Sequence, residues 1–233
     1  MGPPVYFKPV RPAGSEPILT SLPSSCEEIR EGEAHGFVID APSLEYLKIV
    51  DHWKGCCVIE NNMNKIVKAS VVIMRPNPEQ LMCSLTSAKR LVLCLETSMT
   101  LCHVGSVFHY LKHLQMCICE TEWLNLLMPM LNNSPNLRYL KLYLRCIKSE
   151  LRPIWREPSS VPGCLLTSLE TLEWEKYEGK EEEKEVVAFL LKNGLCLNKV
   201  IIKPISTSRK KKKMLKELAF LPRSSPTCRI VYG

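Results

Sequence analysis

The chain has 233 residues, 45% of them apolar and 24% charged, which fits one elongated domain or one domain with a small module beside it. No apolar run approaches the roughly 18 residues that span a bilayer, so no membrane partner is expected. The net charge of +7 owes five units to one run, Arg209-Lys210-Lys211-Lys212-Lys213, whereas a nucleic-acid binder is basic over a whole face, so nucleic acid is an unlikely partner class.

Residues 1–35 carry six prolines (Pro3, Pro4, Pro9, Pro12, Pro17 and Pro23). Each removes a backbone donor and restricts its predecessor, which predicts an irregular N-terminal segment. Met1-Gly2-Pro3-Pro4 lacks the basic and apolar segments of a secretory leader. Tyr6 stands where a myristoylation signal needs Ser or Thr. The chain therefore reads as intracellular, cytoplasmic or nuclear.

From residue 36 to 148 a short leucine pattern returns. Pro-x-Leu-x-x-Leu-x-Ile/Leu occurs at Leu44, Leu47 and Ile49 and again at Leu137, Leu140 and Leu142, with softer copies between and beyond. Taking the second apolar position of each copy gives Leu47, Ala69, Leu91, Leu114, Leu140, Leu172, Val200 and Ile230, at steps of 22 to 32 residues. Periods in the twenties with an L-x-x-L-x-L core read as leucine-rich repeats. Such a unit buries its apolar face only against stacked neighbours, and the product is an extended strand array suited to holding another protein. Asn61-Asn62, Pro76-Asn77-Pro78 and Asn132-Asn133-Ser134-Pro135 mark the turns. Trp123, Leu124, Leu127, Met128 and Leu131 have helical spacing, although Pro129 lies among them and predicts a short or kinked helix.

Residues 149–163, with Pro153, Pro158, Pro162 and Gly163, read as a linker or insertion. The ladder resumes over 164–233. Glu181 to Asn193 predicts a helix: three glutamates open it, Val186, Val187, Leu190 and Leu191 form its apolar stripe, and Gly194 marks its exit. A strand at Lys199 to Lys203, a helix at Lys212 to Phe220 and a last strand at Cys228 to Tyr232 complete the order. The last copy of the pattern is Thr227, Ile230 and Tyr232.

Alternation puts the Leu-x-Leu pair inward and its flanking residues outward. The outward set includes Tyr46, Lys48, Arg90, His113, Tyr139, Lys141, Tyr143, Glu173 and Lys199. Tyr and Arg anchor protein interfaces, so these are the candidate partner-binding residues, centred on Tyr139, Lys141 and Tyr143 and suited to an acidic patch. Arg209, Lys210, Lys211, Lys212 and Lys213 match a nuclear import signal, or a solvated loop entering the last helix.

Twelve cysteines, set mostly beside apolar strands and without secretory context, read as reduced packing residues. His109, His113, Cys117 and Cys119, with Cys102 and His103 nearby, are too scattered for the converging ligands zinc needs. No phosphate loop, nucleophile elbow or H-E-x-x-H occurs. Glu181 to Glu185 fit a helix start better than an acid/base pair. No enzyme activity, metal or cofactor is expected.

Ala41 to Ile49, Ile59 to Met63 and Leu85 to Leu91 resemble the repeat region of plant F-box/LRR proteins. Cys164 to Trp174, Tyr177-Glu178-Gly179, Glu182 to Glu185, Met214 to Leu218 and Pro222 to Cys228 together resemble an FBD domain, the C-terminal module of the plant F-box/FBD/LRR-repeat family. The resemblance covers about residues 37 to 233. It implies an α/β leucine-rich-repeat solenoid arc of short, mostly parallel strands, capped by an FBD module with two helices. It also implies the substrate-gripping half of a ubiquitin-ligase receptor, with a protein target as partner. The paired amphipathic helices of an F-box are not found in residues 1–35, so a Skp-type adaptor is not an expected partner. A stand-alone scaffold or competitor binding the same targets is one alternative, and a nucleic-acid-associated protein using the basic run Arg209 to Lys213 is another.

Overall fold

The structure, a computed structural model, describes residues 5–7, 36–39, 43–51, 56–59, 63–73, 79–95, 106–119, 123–145, 154–205 and 209–233. In chain order the strands are β1 (Val5–Phe7), β2 (Gly36–Ile39), β3 (Tyr46–Asp51), β4 (Cys56–Ile59), β5 (Lys68–Ile73), β6 (Arg90–Leu95), β7 (His113–Cys117), β8 (Tyr139–Tyr143), β9 (Thr171–Tyr177), β10 (Lys199–Pro204) and β11 (Arg229–Tyr232). The helices are α1 (Glu79–Ser84), α2 (Trp123–Asn132), α3 (Gly163–Thr167), α4 (Glu181–Asn193) and α5 (Arg209–Ala219).

The fold is α/β. Eight parallel strands form one sheet in chain order, from β3 through β5, β6, β7, β8, β9 and β10 to β11. Neighbouring strands pair Leu47 with Ala69, then Leu91, Leu114, Leu140, Leu172, Val200 and Ile230 in one unbroken row. A second row runs from Ile49 through Val71, Leu93, Met116, Leu142 and Trp174 to Ile202. From Leu44 to Ile202, no first, second or third apolar position of a copy exceeds 4% exposure. The ladder expected from the leucines is thus one continuous apolar spine.

Two backbone devices hold the register. The carbonyl just before each strand from β3 to β9 of the eight-stranded sheet accepts two N–H groups of the next copy: Glu45 takes those of Val67 and Lys68, and Val67 those of Lys89 and Arg90. Lys89, Lys112, Arg138 and Glu170 repeat the arrangement. Hydroxyls strengthen it where the residue before the first leucine position is serine. Ser87 donates to the carbonyls of Met63 and Ile66, and Ser168 to those of Pro135 and Leu137. In a repeat whose faces bury one another, these bonds satisfy groups that water cannot reach.

Several details differ from the sequence expectation. A separate three-stranded parallel sheet joins β1, β2 and β4. β1 lies inside the proline-rich segment, where Val5-Tyr6-Phe7 supplies three strand-forming residues between Pro4 and Pro9; the rest of residues 1–35 lies outside the described residues. α1 and α3 were unexpected, yet each follows a proline, Pro78 and Pro162, a residue favoured at helix starts. α2 runs ten residues through Pro129. α4 has the expected bounds, and α5 begins three residues earlier than expected, taking in the basic run. In the last copy Cys228 is buried at 6% while Thr227 faces out; Cys228 N–H closes the turn on Ser225. Of the linker expected at 149–163, residues 154–163 are described. They touch the core at two points: Trp155 packs on Phe189 of α4 at 5.4 Å, and Pro162, at the start of α3, is buried.

Candidate interaction face

The strand residues that alternate with the spine form three outward rows. The first runs Tyr46, Lys68, Arg90, His113, Tyr139, Thr171, Lys199, Arg229. The second includes Lys48, Gln115, Lys141 and Glu173, and the third includes Tyr143, Glu175 and Lys203. All nine candidate residues therefore share one sheet face, with Tyr46 and Lys48 on its first strand and Lys199 near its last. They do not form one cluster.

Electrostatics divide the face. On β8, β9 and β10 the charges around Glu173 are paired. Glu173, only 7% exposed, accepts Lys203 Nζ at 2.7 Å and the Tyr139 hydroxyl, with Lys141 Nζ at 3.4 Å. Lys141 also pairs with Glu175. Burial opposes ionisation of Glu173, but the bonds from Lys203 and Tyr139 and the charge of Lys141 outweigh it and hold the carboxyl below its ordinary value. Burial and the Glu173 carboxylate push the Tyr139 hydroxyl up. Lys141, expected at the centre of a cationic surface, is neutralised within the sheet, because parallel pairing sets Glu173 and Glu175 on the adjacent strand.

On β5, β6 and β7 the cations have no such partners. Lys68 Nζ sits 5.2 Å from the centre of the Tyr46 ring, a cation–π arrangement. Among the described residues no carboxylate pairs with Lys68, Arg90, Lys89 or Lys112, all of them exposed. His113 lies 5.6 Å from the Tyr139 ring. Partial burial, with Arg90 and Lys112 nearby, lowers its pKa, so it is neutral at physiological pH.

At the exit of β6 and β7, Cys117 Sγ is 2.7 Å from Cys119 Sγ, and Arg145 N–H points at Cys119 Sγ. The Cys94 and Cys117 thiols are pushed up to about 11. At Cys117 the bond with Cys119 opposes the rise, while Cys94 and burial drive it. His109 lies in the turn before β7 and His113 on the sheet face, away from these sulfurs; Cys102 and His103 lie outside the described residues. Among the described residues no group of three His, Cys, Asp or Glu is placed to hold a metal ion, and no helix is long and apolar enough to cross a membrane.

The glutamates that open α4 act locally. Glu183 Oε2 accepts the backbone N–H groups of Glu178, Gly179 and Lys180 at 2.9, 2.7 and 3.2 Å, which ties the helix start to the end of β9. Burial pushes its carboxyl up to about 7, against the pull of those bonds. Arg209–Lys213 form the opening turns of α5.

The eight-stranded parallel sheet thus runs in chain order and carries a polar and aromatic outer face. The family model for FBD matches residues 157–202. A probable FBD-associated F-box protein of Arabidopsis thaliana is 58% identical over 200 residues, covering 84% of this chain and 47% of that protein. An F-box/FBD/LRR-repeat protein of the same plant is 44% identical over 206 residues, 87% of this chain and 48% of that protein. No solved structure matches. Over most of its length the chain is similar to plant F-box/FBD/LRR-repeat proteins, and it spans about half the length of the curated relatives it matches.

Proposed function

We propose that the chain is a non-catalytic protein-recognition module, a leucine-rich-repeat arc over 36–148 and an FBD part over 164–233 that continue one sheet and hold a target protein. It acts as the substrate-recognition part of an F-box type ubiquitin-ligase receptor. The observation that carries this reading is the unbroken register from Leu47 to Ile230, which aligns the outward residues of eight strands on one surface. The similarity to those relatives supports the ligase link. The protonated state of Tyr139, Cys94 and Cys117 supports a binding role over a chemical one, since none is an activated nucleophile.

The test is affinity capture from plant tissue with the tagged chain, followed by mass spectrometry. A defined target should be captured by the native chain and lost from the Tyr139→Ala, Tyr143→Ala double variant, while circular dichroism stays native. A target held equally by both rejects the face. Capture of a Skp-type adaptor together with the target supports the ligase role. A target captured without any adaptor supports a stand-alone scaffold instead.

A further inference from the structure

Resting on the recognition reading above, we propose that the partner presents an acidic peptide segment, and that it lies across β5, β6 and β7 against Lys68, Arg90 and His113 rather than on β8 and β9. An acidic segment approaching β8 and β9 meets cations already held by carboxylates, Lys141 by Glu173 and Glu175 and Arg138 by Glu170, and Lys203 of β10 is held by Glu173. Those carboxylates repel the newcomer. Beyond these pairs Lys199 and Arg229 are exposed, two cations against the longer run of Lys68, Arg90, His113, Lys89 and Lys112. On β5 to β7 the outermost row offers Lys68, Arg90 and His113 in consecutive strands, with Lys89 and Lys112 at the strand entries. No carboxylate among the described residues competes for them.

The geometry suits a strand-like ligand. Neighbouring strands lie ~4.8 Å apart, and alternate side chains of an extended peptide repeat every ~7 Å. Two acidic residues at alternate positions therefore reach across three consecutive strands. The flanking tyrosines restrict the receptor side. Tyr46 carries the Lys68 ammonium on its ring and Tyr139 lies against His113, so less side-chain freedom is lost on binding.

His113 adds a signature. It faces Arg90 on β6, Lys112 at its own strand entry and Tyr139 on β8, and these neighbours with partial burial keep it neutral. A carboxylate brought beside it favours the charged form. Binding takes up a proton, and affinity rises as pH falls.

The probe is a fluorescein-labelled ten-residue peptide of alternating Glu and Ser, titrated by anisotropy against the full chain at low salt, with an alternating Lys and Ser peptide as control. The acidic peptide alone should bind. Lys68→Glu with Arg90→Glu should weaken it at least tenfold, Lys141→Gln by less than twofold, and Lys210→Gln with Lys211→Gln by less than threefold. Affinity should rise between pH 7.5 and 6, and His113→Gln should flatten that rise. No binding of the acidic peptide overturns the proposal. So does binding that survives the Lys68, Arg90 reversal or vanishes with the Lys210, Lys211 change. If the peptide fails while a cellular target is still lost on Tyr139→Ala, Tyr143→Ala, the face recognises a partner of other chemistry; if both fail, recognition by this face falls.

Discussion

Glu183 shows how one buried carboxyl joins two elements. Removing it leaves three backbone donors near α4 without their acceptor, so Glu183→Ala should cost about 1–3 kcal/mol, read as a shift in the denaturant midpoint. Glu183→Gln keeps an acceptor and should recover most of that. Folding raises the Glu183 pKa from its ordinary value of 4.5 to about 7, so the folded chain binds the proton more tightly. Stability should therefore fall as pH rises from about 4.5 to about 7, with the penalty complete above that range. A flatter profile in Glu183→Gln is the check; a parallel one refutes the assignment. Tyr177 gives the opposite kind of case. Its ring is buried beside Trp174, yet its hydroxyl has no hydrogen-bond partner among the described residues. Tyr177→Phe should leave stability unchanged or raise it by about 1 kcal/mol, and a clear loss would show that the hydroxyl is satisfied. The roles of both residues depend on burial, which sequence spacing alone does not carry. Glu183 was legible as part of a helix start because acids favour that end, and its bonds to Glu178, Gly179 and Lys180 are local to the turn before α4; its burial is what depends on the tertiary fold. The same limit explains Lys141: its place on the outer face followed from alternation, but its two glutamate partners come from a strand about thirty residues on.

At the scale of elements, β9 and α4 show how an irregularity is placed. Lys176 takes a positive φ of 59° and the register with β10 shifts there, a bulge that turns Tyr177 inward where strict alternation would bury Lys176. Gly179 follows with φ of 73°, and a Cβ there would meet the Met214 side chain of α5, whose Cγ would be 3.0 Å away. Lys176→Gly should be neutral or stabilising, since glycine adopts this backbone without strain. Gly179→Ala should cost about 1–3 kcal/mol. Equal effects from the two changes, measured by thermal unfolding, would remove the argument. Strands and α4 were readable because their apolar periods are long, and α4 also opens on three glutamates and ends at Gly194. α1 and α3 escaped because each is only a turn or so, and the prolines before them signal loops as readily as helix starts. The sheet of β1, β2 and β4 escaped for another reason: its three or four residues per strand are too few for alternation to register, and parallel pairing of distant segments leaves no local mark.

At the scale of the whole molecule, the buried core is one cluster from Leu44 to Cys228. Interior strands β6 to β9 are covered on both sides by their neighbours, whereas β3 and β11 border the eight-stranded sheet. Amide hydrogen exchange should therefore be slowest in β6 to β9 and fastest at β3 and β11. Uniform protection across the sheet would contradict nearest-neighbour stacking. The spine was legible from the leucines because every copy from Leu44 to Ile202 uses the same three positions for burial. The distribution of charge over the outer face was not, since it depends on which strands end up side by side.

The doubled carbonyl contacts at the starts of β3 to β9 leave little room for adjustment inside a six-residue block, yet they ask nothing of the stretch that leads to the next one. Insertions and deletions can accumulate in the returns while every outward side chain keeps its coordinates. An ancestral duplication of this design could acquire a new target by exchanging one letter at a time on a fixed grid, without disturbing how the molecule folds.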